Sequence, residues 1–232
     1  MNSFEVIRYL TVHMHGYKRI GKENVLQKVT ATGFFAFLNI NGVRKDIIIT
    51  AKHFADEISR VVFMLHYKEN GKLVTVPVST EVEWNFSEDA DLAYCEFKPI
   101  EERFRKITGR RVYAAALTQK DFLTEKQLNE INILDEVVTA GYPAGESSTH
   151  HKFPLFSKGY VASLPKDTVE DGEGFLNIPA IGGFSGAPIF LNTAGLKFLG
   201  VLVSGIMEED SDSSVMCKYV PAYKILRLLE QQ

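Results

Sequence analysis

Gly182-Gly183-Phe184-Ser185-Gly186-Ala187-Pro188 lies late in the chain between two apolar runs with the composition of buried strands. Glycines on both sides of one serine let the backbone turn sharply and leave the hydroxyl uncrowded. Pro188 then fixes the exit into Ile189-Phe190-Leu191. Gly-rich turns carrying a serine also serve as plain connections between strands, so the heptad alone is consistent with a nucleophile turn and with a structural one. A serine hydroxyl becomes a useful nucleophile only where a base removes its proton and a third group orients that base. The rest of the chain has to supply a histidine and a carboxylate.

Around the heptad, short runs of alternating apolar and polar residues, rich in β-branched and aromatic side chains, recur between turn signals. They cover 33–40, 47–50, 61–67, 73–78, 92–97, 136–141, 159–164, 175–178, 188–191, 198–206 and 215–220. Asn41-Gly42 and Asn70-Gly71 are hairpin turns by composition. About a dozen strands are too many for one small sandwich and fit an all-β fold of two antiparallel barrels. The expected division is 1–105 as a first barrel, 106–132 as a connecting segment and 133–232 as a second barrel. Around the junction, Glu101 to Arg111 is charged and Thr124 to Ile131 has helical composition. Ile225, Leu226, Leu228 and Leu229 follow Pro221 at helical spacing, which predicts an amphipathic α-helix over 221–231 that closes the fold. The N-terminal stretch, Met1 to Arg8, reads as apolar alternation.

The sequence has 232 residues, 45% hydrophobic and 24% charged, with a formal net charge of -3. That length suffices for a real core, and the charge gives no field favouring nucleic acid or an anionic membrane. Arg103, Arg105, Lys106, Arg110 and Arg111 are diluted by Glu101 and Glu102 and read as a solvated linker. Glu208-Glu209-Asp210-Ser211-Asp212 lacks the glycine and distal glutamate of an EF-hand loop, so neither a metal nor another cofactor is expected. No apolar run approaches the roughly 20 residues of a spanning helix, and Glu5 and Arg8 interrupt what would be a secretion signal. Cys95 and Cys217 stand far apart, the pattern of two buried reduced thiols. The expectation is a cytoplasmic protein whose partners are a protein or peptide substrate and a regulatory protein.

Six histidines are available, His13, His15, His53, His66, His150 and His151, and all precede Ser185. An α/β-hydrolase places its histidine after the serine and needs glycine where Ala187 stands; the subtilisin order finds only Asp46, at a hairpin edge, before His53. The order left is His, Asp, Ser. His53 follows the apolar run Ile47-Ile48-Ile49-Thr50 through Ala51-Lys52, and a strand end is a rigid seat for a base. A lone histidine there is also often structural. His150-His151 lies in a polar, solvent-facing stretch. For the carboxylate, Asp91 opens the run Leu92 to Phe97, and Asp89 competes from one alternation earlier on the same face. Asp91 is preferred because the apolar run begins immediately after it.

Together these stretches resemble the trypsin/chymotrypsin superfamily of serine peptidases. Thr50-Ala51-Lys52-His53 is similar to its Thr-Ala-x-His motif, Asp91-Leu92-Ala93 to its Asp-Leu-Ala strand, and Gly183-Phe184-Ser185-Gly186-Ala187-Pro188 to its Gly-x-Ser-Gly-x-Pro. In motif style the chain is most similar to the disulfide-free, HtrA-like peptidase domains. Val138 to Gly145 resembles their Gly-x-Pro-x-Gly segment, Gly200 to Ile206 their strand after the nucleophile, and Tyr219-Val220-Pro221 the approach to their final helix. No residues are left for a PDZ domain after it.

The resemblance implies two antiparallel β-barrels with His53, Asp91 and Ser185 as catalytic residues in the cleft between them. It implies an oxyanion hole from the backbone N–H groups of Gly183 and Ser185. Substrate contacts are implied for Pro179, Ala180 and Ile181 before the turn, and for Ser204, Gly205 and Ile206, which pair with an extended substrate. Phe184 stands where secreted trypsin-like enzymes carry an aspartate that pairs with a freshly cleaved amino terminus, so that activation route is not available. Asn177 to Ile181 has no acidic residue to select Arg or Lys, which leaves a small or apolar residue before the scissile bond as the expectation. The activity implied is peptide-bond hydrolysis through an acyl-enzyme, of narrow or regulated specificity. Two other classes stay open: a catalytically silent peptide-binding module, and an esterase or acyl transferase using the same three residues.

Overall fold

The computed structural model describes residues 3–20, 25–56, 58–144, 152–163, 172–192, 195–207 and 213–230. Helix α1 (Ser3–Leu10) runs directly into β1 (Thr11–Ile20), which pairs along its whole length with β2 (Val25–Ile40). β2 turns through Asn41-Gly42 onto β3 (Val43–Thr50), with φ of 52° and 81° at the two turn residues. Asparagine and glycine reach those values cheaply, and such a turn matches the twist of the strands it joins. After the single turn α2 (Lys52–Ala55), β4 (Arg60–Glu69) and β5 (Lys72–Glu81) form a second hairpin through Asn70-Gly71. With β6 (Asn85–Phe86) and β7 (Ala93–Glu96) they complete a seven-stranded sheet in the order β5-β4-β1-β2-β3-β7-β6.

Helix α3 (Lys98–Thr108) ends on Gly109 at φ 68°. It corrects the reading of this basic stretch as a solvated linker: Ile100 and Phe104, one helical turn apart, are buried in the core of the first sheet while Arg103, Arg105 and Lys106 face water. α4 (Glu125–Leu128) lies between the halves. The second half holds β8 (Glu136–Gly141), β9 (Leu155–Val161), β10 (Gly174–Asn177), β11 (Ala180–Ile181), β12 (Pro188–Asn192), β13 (Leu196–Met207) and β14 (Ser213–Pro221). Their order is β10-β9-β8-β12-β13-β14-β11, and β10 also pairs with β14, so six strands close on themselves as a barrel. α5 (Ala222–Glu230) closes the chain.

Each half has an apolar interior, and a third cluster joins them. Phe34, Ile47 and Tyr94 of the first sheet meet Phe190, Phe198 and Val201 of the second barrel, with Ile7 and Leu10 of α1 and Ile225 and Leu228 of α5 packed on. The N-terminal stretch is therefore helix rather than alternating strand; Ile7 and Leu10, three apart, share a helix face and would oppose each other on a strand. The all-β architecture expected from the turn and strand pattern is present. The site lies where the two halves meet.

Candidate active site

β3 ends at Thr50, and α2 follows one residue later with His53 on it. Thr50 pairs with Ala93 of β7, and this register brings Asp91, two residues before, against the start of α2. Asp91 Oδ1 accepts the backbone N–H of His53 at 2.9 Å, and Oδ2 lies 2.7 Å from His53 Nδ1. One carboxylate thus holds both the backbone and the ring. With Nδ1–H donated to Asp91, Nε2 keeps its lone pair. Burial, the largest influence on Asp91, opposes its charge, yet the hydrogen bonds from the His53 ring and backbone together outweigh it and hold the carboxyl below its ordinary value. The His53 side chain stays 50% exposed, so its far edge is reachable from the cleft.

Asp89, the competing carboxylate, is engaged elsewhere. It accepts Ser87 Oγ at 2.9 Å and Lys224 Nζ of α5 at 3.1 Å, and the Ser87 hydrogen bond is the main reason its carboxyl lies low.

Ser185 sits half-buried in a double turn: Phe184 N–H donates to Ile181 C=O at 3.1 Å and Ala187 N–H to Phe184 C=O at 2.8 Å. Gly183 and Gly186 have φ of 95° and 85°. A Cβ at 183 would lie 2.2 Å from Tyr142 O, and one at 186 would lie 2.1 Å from Thr32 O, so conformation and space both demand glycine. Phe184 is buried in the core of the second barrel and anchors the turn by packing. Gly182 C=O accepts the N–H of Ala144 at 2.6 Å; the N–H groups of Gly183 and Ser185 have no acceptor among the described residues.

Thr32 of β2 fastens this turn to the first half. Its N–H donates to Ser185 C=O at 2.9 Å and its hydroxyl to Gly183 C=O at 2.8 Å. The same hydroxyl accepts Tyr142 N–H at 2.9 Å, and Thr32 C=O accepts the Thr50 hydroxyl at 2.9 Å. Thr32 is fully buried, so each of these bonds forms away from water. Ser185 and His53 line one cavity of about 290 Å³. Among the described residues, no hydrogen bond joins the Ser185 hydroxyl to His53.

β13 pairs with β12 only as far as Val201, then continues against β14. Leu202 bonds the Ser185 turn instead, donating to Ala187 C=O at 2.9 Å and accepting Gly186 N–H at 2.7 Å. Ser204, Gly205 and Ile206 follow, exposed, on an edge that carries no further strand among the described residues. Ala180 and Ile181 pair with Ser214 and Ser213, on the other edge of β14. The exposed Pro179 accepts Ser157 Oγ through its C=O at 2.6 Å. The two candidate substrate segments therefore flank β14 rather than each other. His150, His151, Gly145 and the acidic run at 208–212 lie outside the described residues.

No protein-family model matches the sequence, and no curated protein matches it. Solved structures do. The HtrA-type protease AlgW, determined with a tripeptide, superposes on 99% of this chain with a TM-score of 0.61 at 13% identity. The apo MamO protease domain from Magnetospirillum magneticum covers 97% of this chain and 97% of its own, with a TM-score of 0.56 at 14% identity. The chain has the trypsin-like serine protease fold. It spans 63% of the AlgW chain.

Within this trypsin-like fold, the sequence pointed to His53 and Ser185, which line one cavity, and to Asp91, which bonds His53, but not to Thr32. The available signal was weak: a threonine inside a strand is ordinary, and only its complete burial marks the hydroxyl as engaged. His13 and His66 are buried histidines of the first sheet. Burial first, then the neighbouring His15 and Lys28 charges for His13 and the Lys152 charge for His66, bring each down to about 4.

Proposed function

We propose that this chain is a serine endopeptidase working through an acyl-enzyme. His53 Nε2 takes the proton of Ser185 as the oxygen attacks the scissile carbonyl, and Asp91 holds the ring in the tautomer that allows it. The N–H groups of Gly183 and Ser185 receive the charge that develops on the carbonyl oxygen. His53 then passes its proton to the departing amine. Water, deprotonated by the same ring, releases the acid and restores the hydroxyl. The observation that carries this reading is the two-point hold of Asp91 on His53 beside a serine turn in which the N–H groups of Gly183 and Ser185 have no acceptor among the described residues.

The open edge of β13 at Ser204, Gly205 and Ile206 suits an extended peptide added as a strand. Pro179, Ala180 and Ile181 bring no charge to the neighbouring segment, which fits a small or apolar residue before the cut. Narrow specificity or control by a partner protein follows from the hazard of an open peptidase in a cell. Cys95 and Cys217 are buried thiols, which fits the cytoplasm; no helix among the described residues is long and apolar enough to cross a membrane.

Intact-mass measurement after incubation with a fluorophosphonate tests the proposal. A single adduct is expected on the wild type, none on Ser185→Ala, and little on His53→Ala. The missing hydrogen bond between Ser185 and His53 favours a second reading, a module that holds peptides without turnover, and an unlabelled wild type would establish it over the first. Comparing ester with peptide substrates separates an esterase.

A further inference from the structure

The cavity containing Ser185 and His53 opens toward the first hairpin. Val29, Phe54 and Ile58 give it an apolar floor, and Lys18, Gln27 and Lys28 of β1 and β2 border it. Two ammonium groups and no carboxylate stand among its described lining residues. Lys28 is exposed and has no ion-pair partner among the described residues. No residue of β13 lines this cavity, whereas the open strand edge suited to the acyl half of a substrate belongs to β13.

This inference rests on the peptidase reading. A peptide crossing the cleft is divided at Ser185: the acyl half stays on the serine, and the amine half leaves with a proton from His53. With the acyl half along β13, the amine half passes the imidazole into the lysine-bordered cavity. We propose that this cavity selects acidic side chains, Asp or Glu, in the first positions after the scissile bond, with Lys28 as the principal charge. The apolar floor accommodates the methylenes of such a side chain, and the rim meets its carboxylate.

Two acetate esters that differ in the charge of the leaving phenol test this on the full chain: 4-acetoxybenzoate, whose leaving group is anionic, and 4-acetoxy-N,N,N-trimethylanilinium, whose leaving group is cationic. Both transfer the same acetyl group to Ser185, and their intrinsic reactivities cancel when the anionic-to-cationic rate ratio of the wild type is divided by that of Lys28→Glu. The expected quotient is about fivefold, the size of partly screened surface charge contacts. It falls toward one in ~1 M salt, where the Debye length is about 3 Å. Lys28→Gln gives an intermediate value. Lys28 faces water on β2 opposite the exposed Tyr17, so neither replacement touches a core, and unchanged melting temperatures verify this. A quotient near one, with Ser185 acetylated by both esters, overturns the charge selection and leaves the peptidase reading standing. No acetylation of Ser185 by either ester overturns both.

Discussion

Replacing Thr32 by valine keeps shape and removes one hydroxyl. That hydroxyl bonds two buried backbone groups, Gly183 C=O at 2.8 Å and Tyr142 N–H at 2.9 Å, and both lose their partner. Each unsatisfied buried group costs about 1–3 kcal/mol. Two of them, less a small gain from the added methyl, give a loss of about 3 kcal/mol in unfolding free energy. The functional effect comes through the peptide between Gly183 and Phe184. Gly183 sits at φ 95° with glycine before it, and Thr32 holds its carbonyl from the first sheet. Without that hold the turn samples orientations in which one backbone donor no longer faces the cleft, and loss of one such donor costs about 3 kcal/mol of barrier, roughly a hundredfold in rate.

Thr32→Ser keeps the hydroxyl and loses a methyl, about 0.8 kcal/mol, with a labelling rate close to wild type. The assays are urea unfolding at neutral pH and the pseudo-first-order rate of fluorophosphonate labelling at Ser185. Thr32→Val within about 0.5 kcal/mol of wild type, the usual range of surface changes, refutes the bonding argument. A destabilised Thr32→Val that labels at the wild-type rate refutes the link from Thr32 to the backbone donors.

Asp91→Asn presents an amide to the ring in place of a carboxylate and no longer enforces the tautomer with Nε2 free; labelling of Ser185 is expected to slow by about ten-thousandfold, and a loss under tenfold contradicts the role. Phe184→Ala empties an aromatic site in the second barrel's core and is expected to cost about 3–5 kcal/mol by urea unfolding. His13 and His66 titrate near 4 when folded against an ordinary 6.5 when unfolded, so the unfolded chain takes up protons first as pH falls. Their stabilising contribution is whole above pH 6.5 and declines between 6.5 and 4, by up to about 3 kcal/mol each. Asp91, held below its ordinary value, adds a further loss as pH falls through its folded titration. Urea unfolding across pH 7 to 4 measures the slope, which should be shallower in His66→Phe; an identical slope in that variant removes His66 from the account.

The three candidate residues could be picked out in the sequence because each carries a local mark. Ser185 sits among glycines whose positive φ values need glycine, His53 follows the apolar run that ends β3, and Asp91 opens the apolar run that leads into β7. Elements without such a mark were not legible. The outer part of β2, 25–30, is exposed to half-buried and shows no alternation; its ladder with β1 defines it. The charge of 101–111 hides the Ile100–Phe104 pair that makes α3 one face of a core. Thr32 is the extreme case. Its hydroxyl partners lie 110 and 151 residues away, so its role exists only once the two halves have docked.

The nature of that docking bears on how the turn is kept in shape. Where an aspartate at position 184 would need a cationic partner, Phe184 needs only the apolar interior of its own barrel, and the remaining ties are neutral hydrogen bonds from Thr32, Ala144 and Leu202. None of these groups titrates near neutral pH, and none depends on a free amino terminus. The turn therefore forms when the halves fold together, without a cleavage step to release a charge. On the peptidase reading, what the turn does not fix is the approach of Ser185 to His53 and the entry of a chain along β13. The ester and fluorophosphonate rates of one unprocessed preparation report on the first of these directly: labelling without any prior proteolysis is the expected result, and labelling that begins only after a cut in the chain would overturn the idea that packing alone sets the turn.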